Sequence, residues 1–190
     1  MSFLPVLSGL ISLVGTIPYI RDTIRGRTKP RVASWLVWGI LTGIAAAASF
    51  SRGHMPAAVL ALCMTISCLV VTALAIKKTG SASLEKVDIS CLVAALVGFL
   101  LWQWFNSPEI AVLAVVAIDA VASLPTIRHA YRAPDEETLF EFVMAGLASI
   151  VALAATTNFA VTAVLYPIYI IVFDFTVAML IIRGRRKVLS

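Results

Sequence analysis

Charge is scarce in this chain. Of its 190 residues only 13% are Asp, Glu, Lys or Arg, while 61% are hydrophobic. A soluble domain carries about 25% charged residues, and a mean hydropathy of +0.98 leaves too little polar surface to face water. This excludes a soluble globular domain, a disordered chain and a small disulfide-stapled scaffold. Cysteine is scarce too. Cys63, Cys68 and Cys91 all fall inside apolar stretches and form no CxxC pair, so they are expected to be small core residues without redox chemistry. The two histidines, His54 and His129, lie in separate loops, and there is no HExxH and no paired DxxD. The sequence thus points away from an enzyme and implies no metal or cofactor. The net charge of +5 does not imply nucleic acid, because the basic residues sit in short runs between long apolar stretches.

What is present is a set of apolar windows of the length a bilayer requires, about 20 residues each. They fall at 3–20, 33–50, 56–76, 88–105, 109–127, 139–157 and 160–182. The windows are continuously apolar rather than alternating, which favours helices over barrel strands. No Lys or Arg precedes Arg21, so the first window lacks the basic start of a signal peptide and is expected to be a mature helix. Arg21, Arg25, Arg27, Lys29 and Arg31 follow the first window. Lys77, Lys78 and Lys86 follow the third, Arg128 and Arg132 the fifth, and Arg183, Arg185, Arg186 and Lys187 the seventh. With seven spans all of these lie on one side, and Arg52 alone lies opposite. The positive-inside rule then predicts an outer N-terminus and a cytoplasmic C-terminus. Compact size and short loops suggest a bacterial cytoplasmic membrane.

The chain also repeats itself. The first window ends Ile17-Pro18-Tyr19-Ile20-Arg21, followed by Arg25; the fifth ends Leu124-Pro125-Thr126-Ile127-Arg128, followed by Arg132. The offset is 107 residues, and it also aligns Gly39 with Gly146. The third and seventh windows end alike, Ile76-Lys77 and Ile182-Arg183. The expected fold is all-α and integral to the membrane: seven transmembrane helices as two parallel three-helix repeats joined by a spacer helix. The first bundle covers 1–80, the spacer 81–107, and the second bundle with its basic tail 108–190. Parallel repeats of this kind are one of the transporter architectures.

On these residues the chain resembles the SWEET and PQ-loop superfamily over its whole length. The resemblance rests on the 3+1+3 pattern, the orientation, and a proline near the basic end of the first helix of each triplet. It implies alternating-access movement of a small polar solute, a sugar or similar. Tyr19 and Thr126 stand where the PQ signature has glutamine, the third window has no asparagine, and the sixth has no tryptophan matching Trp38. These departures weaken sugar as the substrate more than they weaken the architecture.

A carboxylate deep in a membrane helix costs at least about 2.5 kcal/mol. Asp119 and Asp174 are the two deep acids, each nine residues before an arginine (Arg128 and Arg183), and hence about 13 Å from the basic end. The resemblance makes the first and third helices of a triplet neighbours, so the two carboxylates are expected to face each other. Both cannot easily be ionised there, so they would share a proton or hold a cation between them. Their counterparts in the first triplet are Ser12 and Cys68. Trp38 is a candidate solute contact, and Tyr166 and Tyr169 lie outward of Asp174, with Tyr166 better aligned to its face. Pro18 and Pro125 each remove a backbone hydrogen bond and are candidate hinges. Glu141, in the place of Ser34, is a candidate gate through pairing with Arg128 or Arg132. Trp35, Trp102 and Trp104 read as an interfacial belt. Gly39-x-x-x-Gly43 suits close helix contact, within the first triplet or in a homo-oligomer. Asn158 reads as a loop cap, and Asp135-Glu136-Glu137 as a favourable helix start.

The leading expectation is therefore a small-solute transporter, uniport or proton-linked, with the lipid bilayer, the solute and protons as its partners. Two alternatives share seven helices. A vitamin or nucleoside facilitator of the nicotinamide riboside type has the opposite orientation, and a receptor resembling the KDEL receptor binds a peptide without flux. A retinal pump is excluded because the last window has no lysine before Lys187. A reporter fused after Ser190 is expected to read cytoplasmic; a periplasmic reading would instead favour the nicotinamide riboside type.

Overall fold

The computed structural model describes residues 3–30, 32–79 and 86–188. Arg31 and the expected boundary between residues 80 and 81 lie outside the described residues. Everything regular in the described chain is helical. In hydrocarbon no water is available to satisfy backbone N–H and C=O groups, and an α-helix pairs them within one segment. The helices are α1 (Leu4–Ile24), α2 (Val32–Ser51), α3 (Met55–Thr79), α4 (Lys86–Phe105), α5 (Pro108–Ala122), α6 (Leu124–Arg132), α7 (Leu139–Ala154) and α8 (Val161–Val188). A single 3-10 turn (Pro134–Glu136) joins α6 to α7. The described residues are all-α, with five segments among them long and apolar enough to cross a membrane, α5 and α6 counting together as one. The apolar part of α4 (Leu92–Phe105) and α7 are shorter. Sixteen residues give α7 a length of about 24 Å, less than the roughly 30 Å of hydrocarbon.

Several boundaries differ from the windows. α1 runs on past Pro18 to Ile24 without a break. The fifth window is two helices, interrupted at Ser123 two residues before Pro125. Proline has no N–H to offer Val121, and its ring crowds that carbonyl, so the helix restarts at Leu124. Two related prolines thus have different consequences. α7 ends at Ala154, short of the expected 157, where Thr156, Thr157 and Asn158 leave the helix. The first two helices terminate on glycines in left-handed backbone, Gly26 (φ 74°) and Gly53 (φ 72°), a conformation other residues resist.

α3 packs on both α1 and α2, and α8 packs on α5, α6 and α7. The two groups meet through α1 on α7 and α2 on α5, while α4 lies against α5 and α2. Close contacts hold these interfaces. A Cβ added to Gly15 of α1 would stand 2.6 Å from Met144 Cβ of α7. Gly39 faces Cys68 and Leu69 of α3, and Gly43 faces Thr65, so the small-residue stripe of α2 is used inside the molecule. Hydroxyls in the helices turn back on the chain: Thr42 donates to Trp38 O, Thr65 to Ala61 O and Thr72 to Cys68 O. Leu10, Val14 and Ile17 of α1, Leu62 and Ile66 of α3, and Leu96 and Leu100 of α4 remain exposed. Such stripes suit lipid tails.

One end of the bundle gathers the basic residues. Lys78 donates to Ile24 O, Lys29 pairs with Glu136, and Arg185 donates to Glu137 O at 2.7 Å. These contacts bring the C-terminal ends of α1, α3 and α8 together. At the other end Arg52 pairs with Glu109 at 3.2 Å, and Ser49 donates to Thr162 O at 3.0 Å. The expected belt is only partly an outer feature. Trp104 is 85% exposed, but Trp35 and Trp102 are buried. Trp35 lies between Tyr19, tilted against it, and Trp38, edge-on to it, and Trp102 meets Phe99 edge-on. Of the cysteines, Cys68 is buried and Cys63 is half-buried against Gly9.

Gly15→Val should loosen α1 from α7, because Met144 Cβ is fixed to backbone and cannot yield. The expected cost is about 1–3 kcal/mol, read as a lower Tm in detergent. Gly43→Ala, whose new Cβ would meet nothing closer than 3.8 Å, should leave Tm unchanged or raise it.

Candidate functional site: a carboxylate-lined cavity below an aromatic wall

Asp119 and Asp174, 4% and 5% exposed, line one small cavity of about 60 Å³. Glu141 lines it with them. Asp119 comes from α5, Asp174 from α8 and Glu141 from α7, and among the described residues no Lys, Arg or His lines the cavity. Asp119 accepts a hydrogen bond from Ser123 at 3.2 Å, and the Ser123 hydroxyl is 3.1 Å from that of Tyr169. The Ser123 amide also donates to Asp119 O at 2.8 Å. The helix break before Pro125 is thus tied to the acid one turn earlier. No hydrogen bond reaches the Asp174 carboxylate among the described residues.

Glu141 does not form the expected ion pair with Arg128 or Arg132. It starts α7 with its carboxylate turned inward. Oε1 is 3.3 Å from the Thr16 hydroxyl, and Oε2 is buried without a partner among the described residues. Thr16 has one proton and three acceptors in reach, since Ser67 Oγ is at 2.8 Å and Ser12 O at 3.2 Å. Glu141 is therefore only partly compensated.

Aromatic rings form the wall. Trp38 lines the cavity, and its indole N–H lies toward Asp119 without closing a hydrogen bond of ordinary geometry. Tyr166 lines it too, its hydroxyl 3.9 Å from Met64 Sδ. Tyr169 is not in the wall; it reaches Ser123 and stacks on Phe173 at 6.1 Å. A continuous series of rings results, Tyr19–Trp35–Trp38–Phe173–Tyr169–Tyr166, with neighbouring centroids 4.7–6.4 Å apart. Offset and edge-on pairs of this kind contribute about 0.5–1.5 kcal/mol each beyond area burial.

Trp35, Trp38 and Phe142 line a second space as well, a cleft of about 610 Å³ at the basic end. Pro125, Arg128, His129, Arg132 and Lys29 border it. The cleft and the small cavity therefore share one wall. Pro125 lies in the cleft, whereas Pro18 lies in a separate crevice beside Arg21 and Asp22.

Twelve of the lining residues form six pairs at two nearly equal sequence offsets. At the 107-residue offset Ser12 matches Asp119, Trp35 matches Phe142 and Trp38 matches Ala145. In the third helices, where Ile76 matches Ile182, Met64 matches Ile170, Ser67 matches Phe173 and Cys68 matches Asp174. All twelve residues line the same cavity. Sequence reasoning missed Ser123, Phe173 and the inward turn of Glu141. Ser123 stands four residues after Asp119 and two before Pro125, a spacing that puts a hydroxyl over the acid at a forced break.

At the rim of the cleft, Glu137 precedes α7, outside the spans, and only 8% of its side chain is exposed. Burial, and then the neighbouring Glu136 charge, push its carboxyl up to about 8. Glu136 itself is held below the usual range, first by its hydrogen bond from Lys29. His129 Nε2 lies 3.9 Å from Glu137 Oε1.

Comparison with known proteins returns no matching family model, no matching curated protein and no matching solved structure.

The Glu137 carboxyl gives a pH dependence with a definite sign. Between its ordinary value of 4.5 and about 8, the folded chain holds a proton that the unfolded chain has released. Stability from this group is full below that window and falls as pH rises through it. Tm measured from pH 5 to 9 should decline, and Glu137→Gln should flatten the decline. A Tm profile identical in the two proteins would assign the pH dependence elsewhere.

Proposed function

We propose that the chain is a SWEET-like membrane transporter of a small polar solute, open toward its basic end. In this reading the α1–α3 and α5–α8 groups are two parallel three-helix repeats, with the α5–α6 pair as one span and α4 as the spacer. The N-terminus faces outward and the basic end faces the cytoplasm. The observation that carries the reading is the cavity lined by six offset-matched residue pairs, at the inner end of a 610 Å³ cleft. A site on the seam between two repeats is where parallel-repeat transporters bind.

Other features support it. The end opposite the cleft is tightly packed: Leu41, Ala45, Ala48, Leu60 and Ala61 have no exposed surface. Pairing of Arg52 with Glu109 and of Ser49 with Thr162 ties that end together. The break at Ser123, beside Pro125, gives α6 a joint about which it can tilt without disturbing α5. Asp119 is bonded to that joint, so its occupancy and the tilt of α6 are linked. Intramembrane acids without a fixed counter-charge are the usual elements of proton coupling, and Asp119 and Asp174 would carry it here.

Proteoliposomes loaded with a pH-sensitive dye test this reading. Solute-dependent proton movement is expected in the wild type, with at least a tenfold loss in Asp119→Asn and Asp174→Asn. Uptake that is saturable but indifferent to pH and to both substitutions would make the protein a facilitator and the acids bracing groups. Saturable binding of a peptide with no flux of any solute would replace the transporter with a receptor.

A further inference from the structure

The cavity described above specifies more than a polar solute. It holds three carboxyl groups, from Asp119, Glu141 and Asp174, and no basic side chain. Asp174 is 95% buried (5% exposed) and lines the cavity with no hydrogen bond among the described residues. Oxygen Oε2 of Glu141 is likewise buried and unpartnered. A buried carboxylate without a partner is costly, so the site is incomplete as it stands. No group of three acidic, histidine or cysteine side chains among the described residues is close enough to hold one metal ion. The acids thus surround the space without converging on a point.

Their surroundings narrow the choice. The cavity wall carries the rings of Trp38, Tyr166 and Phe173. Aromatic faces attract cations of low hydration, with Trp the strongest. An inorganic ion gains little there, whereas an organic cation is held by both the rings and the acids. The volume, about 60 Å³, has room for a few water molecules. It fits a head group of a few heavy atoms and not a sugar ring.

We propose that the cavity binds the head of a small organic cation bearing N–H donors, an ammonium or guanidinium group, whose remaining part extends into the cleft past Trp35 and Trp38. The proposal rests on the transporter reading only for its consequence, not for the binding itself. A guanidinium presents five N–H donors in a plane and can satisfy separated carboxylates at once. The basic rim does not oppose entry decisively. Lys29 is already paired with Glu136, and Arg128 and Arg132 are exposed and so screened over about 8 Å at physiological salt. The acids inside are not screened in that way.

Purified protein in nanodiscs, titrated calorimetrically with methylguanidinium, n-butylammonium, tetramethylammonium, urea and glucose, tests the proposal. Saturable binding of the first two is expected, with urea, the neutral shape-match of guanidinium, at least tenfold weaker. Asp174→Asn should weaken binding at least tenfold. If that variant loses helical content, Trp38→Leu, which removes a ring and leaves every acid, should weaken binding severalfold instead. Tetramethylammonium binding as tightly as n-butylammonium would overturn the role given to N–H donors. Glucose binding with Asp174→Asn unaffected, or no cation binding to folded protein, would overturn the proposal as a whole. Flux in proteoliposomes is scored separately: sugar flux with no cation binding leaves a transporter with a different substrate, and cation binding with no flux leaves the site without the transporter.

Discussion

The structure depends on how an apolar bundle accommodates buried acid. Asp119, Glu141 and Asp174 lie on three different helices, and packing rather than solvent brings them to one space. A charge in low dielectric interacts strongly with its neighbours and has lost the solvation that water would give it. The surrounding hydroxyls of Thr16 and Ser123 therefore matter, although each offers a single proton to several acceptors. The rest of the fold limits access to this space. Trp35, Trp38 and Phe142 close it on the cleft side.

Much of this was legible in the sequence, and the parts that were not have physical reasons. The apolar windows locate helices, and five described segments have the length that a bilayer imposes. Burial was legible as well: counting nine residues back from Arg128 and Arg183 finds both aspartates, and both are buried. Lateral direction was not. Glu141 is near the start of its helix, where a solvated acid is ordinary, and only the closeness of α1 to α7 at Gly15 and Met144 turns it inward. Trp35 was misread for a similar reason. Its position near a helix end suits an interfacial residue, yet Tyr19 and Trp38 enclose it. Composition does not say which neighbour a side chain will meet.

The two prolines show the same limit at the level of backbone. Pro18 and Pro125 occupy matching positions in nearly matching sequences, but α1 continues and α5 stops. The two stretches differ on both sides of the proline, and one difference lies two positions before it. Ser123 bonds Asp119 one turn back from the break; Thr16, at the corresponding place, reaches Ser67 and Glu141 on other helices and Ser12 O on its own. A shared proline supplies the opportunity for a joint, and local chemistry decides whether one forms.

If the two halves are the repeats proposed above, joining them in a single chain has a consequence for the cavity. Two identical bundles assembled around an axis would place every lining residue twice. A dimer of the first bundle would face Ser12 and Cys68 with copies of themselves and contain no acid at these positions. A dimer of the second would bring together two copies each of Asp119, Asp174 and Glu141, a concentration of negative charge that a membrane interior resists. Fusion through a connecting helix allows each half to diverge, so that one side carries acids and the other hydroxyls, sulfur and the Trp38 ring. The asymmetry that gives this cavity its chemical character is thus available to the tandem chain and unavailable to a symmetric homodimer.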